Sequence, residues 1–147
     1  MDHERTVINA KSDAEALMNA VLPFAERMLA EHSEFFPYGA AMKPNGEIVS
    51  VAGYDGREQP PSQEIIDLLY SQLRRDASNE AYKATAVVYD VRVTPPGTTA
   101  ITDAIAVALE HRDDYSVVVM FPYSLTGGTV SIGEPFAEKG PHRIFPL

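Results

Sequence analysis

Glu34-Phe35-Phe36-Pro37-Tyr38-Gly39 is the stretch whose residue types best suit binding chemistry. A carboxylate and a phenol set among aromatic rings can grip a ligand or partner, because a tyrosine ring supplies apolar area while its hydroxyl keeps a hydrogen bond. Phe121-Pro122-Tyr123 echoes that run, and Tyr38, Tyr54 and Tyr123 are candidates to converge at one rim. Asp90 and Arg92 stand two apart, so on a strand they share a face. There they either pair with each other or meet Glu110 across the sheet. Glu34, Tyr38, Tyr54, Asp90, Arg92, Glu110 and Tyr123 form the candidate binding set. Each also has a plainer role. Phe35 and Phe36 suit a helix–strand junction, tyrosines are common at strand ends, and an exposed ion pair contributes only about 0–1 kcal/mol.

Other chemistries find less support. The chain has no cysteine, which excludes disulfides and cysteine-ligated zinc or iron–sulfur centres. His32, His111 and His142 have neither the i, i+4 spacing of a helical ligand pair nor the i, i+2 spacing of a strand pair. Glu110 and His111 are adjacent, so on a strand they point to opposite faces. Thr126-Gly127-Gly128-Thr129 lacks the lysine of a phosphate-cradling loop and reads as a turn. Ser131-Ile132-Gly133 is not a nucleophile elbow. No catalytic residue, metal or cofactor is assigned.

These residues need elements to hold them. Residues 1–11 are polar and read as an arm. Ser12-x-x-Glu15 has the form of a capping box, and Leu17, Val21, Phe24 and Met28 then recur at helical spacing as far as Glu31-His32. Pro23 predicts a kink or two abutting helices. Phe35 to Met42 and Glu47 to Gly53 make a hairpin around Pro44-Asn45-Gly46. Tyr54-Asp55-Gly56 is a turn, and Arg57 to Pro61 a connection. Ser62 is the expected cap of a second helix carrying Ile65, Leu68, Leu69 and Leu73 on one stripe.

From Ala84 the period changes from 3.6 to 2. Ala84 to Val93 reads as a strand. Thr102 to His111 is ambiguous, since its alanines favour helix while its alternation favours strand. The compact Arg112–Tyr115 turn into Ser116–Tyr123 tips the choice to strand. Thr129 to Ile132 suits a short edge strand. Glu134 to Leu147 is expected as a loop docked through Phe136, Ile144 and Phe145. Successive strands point to an antiparallel sheet. The expectation is a single α+β domain in two layers, with two helices on one face of five to six mainly antiparallel strands, in the order α-β-β-α-β-β-β.

The formal net charge is −9, a field that repels nucleic-acid backbones and anionic lipid and favours a basic partner. The start Met1-Asp2-His3-Glu4-Arg5 lacks a signal-peptide pattern, and no apolar run approaches the roughly 20 residues of a membrane span. A soluble cytoplasmic protein is expected, without nucleic-acid or membrane partners. Glu34–Ala40, Ala52-Gly53-Tyr54-Asp55-Gly56, Asp90-Val91-Arg92-Val93 and Phe121-Pro122-Tyr123 together resemble a group of small bacterial proteins with no known activity. The resemblance implies a bacterial source and a standalone domain. Small acidic α+β proteins also serve as immunity or antitoxin partners. The function expected is a non-enzymatic protein-binding module, its partner another protein or a second copy in a homodimer. The alternative is a small-molecule sensor or enzyme with a pocket at the helix–sheet junction.

Overall fold

The computed structural model describes residues 2–52 and 61–146, with side chains from residue 8 onward. Helix α1 (Asp2–His32) leads into strands β1 (Tyr38–Met42) and β2 (Ile48–Ala52), followed by helix α2 (Ser62–Ser78). Five further strands complete the described chain: β3 (Ala84–Val93), β4 (Thr102–His111), β5 (Tyr115–Thr126), β6 (Thr129–Ile132) and β7 (Phe136–Lys139). The sheet runs β2-β1-β3-β4-β5-β6, and β7 also pairs with β5. Every pairing is antiparallel. The α+β class and the antiparallel sheet match the sequence reading, as does the choice of strand for Thr102–His111. Neither helix is long and apolar enough, among the described residues, to cross a membrane.

Three boundaries differ from the sequence reading. The expected polar arm is helical from Asp2 onward. Ala10 and Ala14 are fully buried and extend the stripe of Leu17, Val21, Ala25 and Leu29 toward the N-terminus. Their small size hides the periodicity, and Ser12 and Glu15 lie mid-helix on the exposed side rather than at a cap. The cap of α2 is Pro61, not Ser62, and no side chain bonds to the first turn. Pro61 still accepts the first helical N–H bonds through its carbonyl, from Glu64 and Ile65. Finally, Phe136–Lys139 was expected as loop but forms β7 on Val117–Met120 of β5, which brings the count to seven strands.

The two helices divide between the faces of the sheet. Leu17, Val21 and Leu29 of α1 pack with Val88, Ile105, Val107 and Leu109. Ile65, Leu69 and Leu73 of α2 pack with Ala41, Val51 and Val87, in a cluster that also holds Ala104, Ala106 and Ala108. Side chains alternate along a strand, so these two sets face opposite ways. Both faces of β4 are apolar, the pattern of a strand covered on both sides. The C-terminal tail completes the α2 side, where Ile144 is buried beside Phe136 and Phe145.

The hairpin turn forms as its sequence implies. Gly46 has φ +94°, where a side chain would be strained. The Glu47 N–H donates to the Asn45 side-chain carbonyl at 2.9 Å. A Lys43–Glu47 ion pair at 2.9 Å closes the exposed base of the turn.

Candidate functional site

Tyr38 opens β1 beneath α1, and its hydroxyl enters the helix backbone. It accepts the Ala25 N–H at 3.1 Å and donates to the Val21 carbonyl. Those two groups would bond directly in an unbroken α-helix. The insertion point spans Pro23, which runs inside a continuous helix. Proline lacks an N–H and its ring crowds the carbonyl four residues back. A side chain inserted into the ladder there is a known way to open a helix turn. The helix runs on through Pro23 rather than dividing into two abutting helices. Burial, opposed by the Ala25 N–H and aided by the Glu26 charge, raises the Tyr38 phenol well above its ordinary range. The phenol therefore stays protonated, as its donor role requires.

Asp90 and Tyr123 meet on the α1 face. The Tyr123 hydroxyl donates to Asp90 Oδ1 at 2.8 Å. Asp90 is exposed as a residue, yet its carboxyl tucks against that hydroxyl. Desolvation raises its pKa against the hydrogen bond, and the charge of Asp103 adds to the rise. Arg92 pairs with neither Asp90 nor Glu110 but with Asp103, at 3.5 Å across the β3–β4 pair and in solvent. Asp103 is the direct cross-strand partner of Arg92, so register decides the pairing. Tyr38 and Tyr123 share a face but lie on β1 and β5, three strand spacings or about 14 Å apart. They do not share a rim. Tyr54 lies outside the described residues.

Glu110 and His111 do point to opposite faces. Glu110, 4% exposed, accepts the Ile144 N–H at 2.9 Å and the Phe145 N–H at 3.4 Å. It thus fastens the tail to the α2 side. Burial lifts its carboxyl above the ordinary range, and the backbone N–H groups offset part of that rise. Its register places it far from Asp90, whose cross-strand partner is Ile105. His111, 2% exposed, faces α1. Its Nε2 bonds to Asp13 at 2.9 Å, and its Nδ1 accepts the Asp113 N–H at 3.0 Å. That pattern makes Nε2 the donor. Lys83 joins the same carboxylate at 3.1 Å. Burial pushes Asp13 up, but His111 and Lys83 outweigh it and hold its carboxyl below the ordinary value. Among the described residues, no three His, Asp or Glu side chains are grouped to hold a metal ion.

Glu34 remains exposed in the connection between α1 and β1. It lines a cleft of about 470 Å³ with Phe24, Met28, Phe36 and Tyr38. A second cleft of about 290 Å³ shares Phe24 and Tyr38 and continues over Ala20 to Ile48 and Ser50 of β2. Phe24, Phe36 and Ile48 are exposed by 40%, 48% and 38%. The clefts exist because α1 packs on β1, β3 and β4 and leaves the β2 edge of that face open. The Tyr38 ring meets Phe24 and Phe35 edge-on, at 4.8 and 6.0 Å between centroids.

The structure thus brings Glu34 and Tyr38 to one cleft, pairs Asp90 with Tyr123, and leaves Arg92 and Glu110 apart from both. The Asp13–His111–Lys83 cluster was missed, because its members are far apart in sequence and share no spacing. A basic cleft holding Arg74, Arg75, His142 and Arg143 was also missed. Its signal was two short basic pairs, one ending a helix and one in the tail. No family model, curated protein or solved structure matches this chain.

Proposed function

We propose that the chain is a non-enzymatic recognition module that docks an apolar, basic segment of a partner protein between α1 and the β1–β2 hairpin. The exposed group of Phe24, Phe36 and Ile48 around two adjoining clefts carries this reading. Single exposed apolar residues are ordinary, whereas a contiguous patch with a polar rim marks an interaction surface. Glu34 on the cleft and a net charge of −9 favour a cationic segment and speed its encounter. The outer edge of β2 has no strand partner among the described residues. Its backbone groups suit an added strand. Several polar side chains of types used in catalysis are instead spent on the fold: Tyr38 on α1, Tyr123 on Asp90 and Glu110 on the tail. An immunity or antitoxin role would use such a surface.

The test compares the wild-type chain with the double variant Phe36→Lys/Ile48→Lys. Both replaced residues are exposed, so the variant should fold, with its melting curve as the check. The proposal expects specific protein capture by wild type and at least a tenfold loss in the variant. Identical capture by both chains would remove this surface from the reading. If light scattering instead shows a wild-type dimer that the variant abolishes, the occupant is a second copy.

A further inference from the structure

The cleft of greatest volume among those described lies away from the docking face. There the later turns of α2 meet the C-terminal tail. It encloses about 650 Å³, within the roughly 300–1,000 Å³ of small-molecule sites. Asp67, Ser71, Arg74 and Arg75 come from α2, and His142 and Arg143 from the tail. In a chain of net charge −9, this wall sets three guanidinium groups against one carboxylate.

The plain explanation covers only part of this. Arginines in the last turns of a helix complement its dipole, which accounts for Arg74 and Arg75. It does not account for tail residues arriving on the same side. The Arg143 guanidinium lies over the Tyr70 ring at 3.7 Å, which holds it in place. Its approach to Asp67 is 3.9 Å, too long for a hydrogen bond, so Asp67 does not consume its donors. Neither Arg74 nor Arg75 makes an ion pair among the described residues. His142 lines the same cleft, with its Nε2 3.5 Å from Asp114 and its Nδ1 buried without a hydrogen-bond partner.

We propose that this cleft binds a small ligand through a phosphate group carrying two negative charges, seated among Arg74, Arg75 and Arg143. Guanidinium forks match tetrahedral phosphate oxygens through paired N–H donors, and their charge survives at any physiological pH. Ser71 supplies a neutral hydroxyl at the same wall. The site is independent of the docking surface and stands whether or not that surface binds a partner.

The test titrates inorganic pyrophosphate and, separately, citrate into the whole chain at fixed ionic strength, followed by calorimetry and backbone NMR. Pyrophosphate should saturate with a Kd below about 1 mM. Shifts should be confined to the last turns of α2 and residues 140–144. Arg74→Gln/Arg75→Gln should weaken binding at least tenfold with an unchanged melting curve, and Arg92→Gln, on the opposite face, should leave it unaltered. Three results would overturn the proposal: no saturation at about ten times that concentration, equal weakening by Arg92→Gln, or tighter binding of citrate than of pyrophosphate.

Discussion

Replacing Tyr38 with phenylalanine keeps the ring and removes one oxygen that serves two helix backbone groups. Leaving buried polar groups unpaired costs about 1–3 kcal/mol, and urea unfolding should show Tyr38→Phe destabilised by that amount. Tyr123→Phe should cost less, because Asp90 is exposed and can turn to water. Charge acts at the same scale. The Asp13 carboxyl sits below its ordinary 3.8 in the folded state. Its stabilisation is therefore complete above that unfolded value and is lost as pH falls through the folded one. Glu110 has the opposite sign. Raised above 4.5, it favours the folded state at acid pH and loses that contribution as pH rises through its folded value. Unfolding midpoints between about pH 2 and pH 5 should fall less steeply in Asp13→Asn than in wild type. Equal slopes would mean that the His111 and Lys83 contacts do not govern Asp13. Pro23 and Tyr38 were each legible as special residues. Their joint role was not, because it depends on where β1 passes beneath the helix.

At the scale of elements, strict alternation made β3 and β4 readable to the residue. Period 2 with both faces apolar fits only a strand buried on two sides. The start of α1 escaped notice because its first described buried positions, Ala10 and Ala14, are alanines. β7 escaped because Phe-Ala-Glu-Lys is too short to show a period and acquires its identity by pairing with β5. Gly39 shows how closely two elements depend on one atom. A Cβ at that position would stand 2.9 Å from the Ala86 carbonyl oxygen on β3 and 3.5 Å from Leu69 of α2. The first neighbour is sheet backbone and cannot yield without disturbing the β1–β3 ladder. Gly39→Ala should therefore destabilise the fold by about 1–3 kcal/mol, the usual cost of overpacking. A variant as stable as wild type would show that β1 can shift outward.

Across the whole molecule, the class of fold was legible and the distribution of its helices was not. Ile105, Val107 and Leu109 alternate with Ala104, Ala106 and Ala108, and the alanine face takes its bulk from Tyr70, Ile144 and Phe145, brought by α2 and the tail. The candidate residues scattered for the same reason: their strands are remote in the sheet order or present opposite faces. What remains open is the β2 edge of the α1 face, with the clefts beside it, and the basic cleft beside α2. The proposed protein-docking site and the proposed anion site thus lie on separate surfaces.

Glu110 and His111 give the central strand a means of rejecting a wrong alignment. If β4 slipped by one residue, every side chain would change face. The carboxylate would then turn toward α1, and the imidazole toward the tail. Asp13 would lose its ring partner while the N–H groups of Ile144 and Phe145 lost their acceptor. One error of alignment would thus undo a contact to α1 and the fastening of the tail together. A two-residue slip would restore the faces but move both fasteners by about 7 Å along the strand, beyond reach of either partner. Adjacent residues with unlike chemistry act here as proofreading for the sheet, so that only the native register satisfies α1 and the tail together.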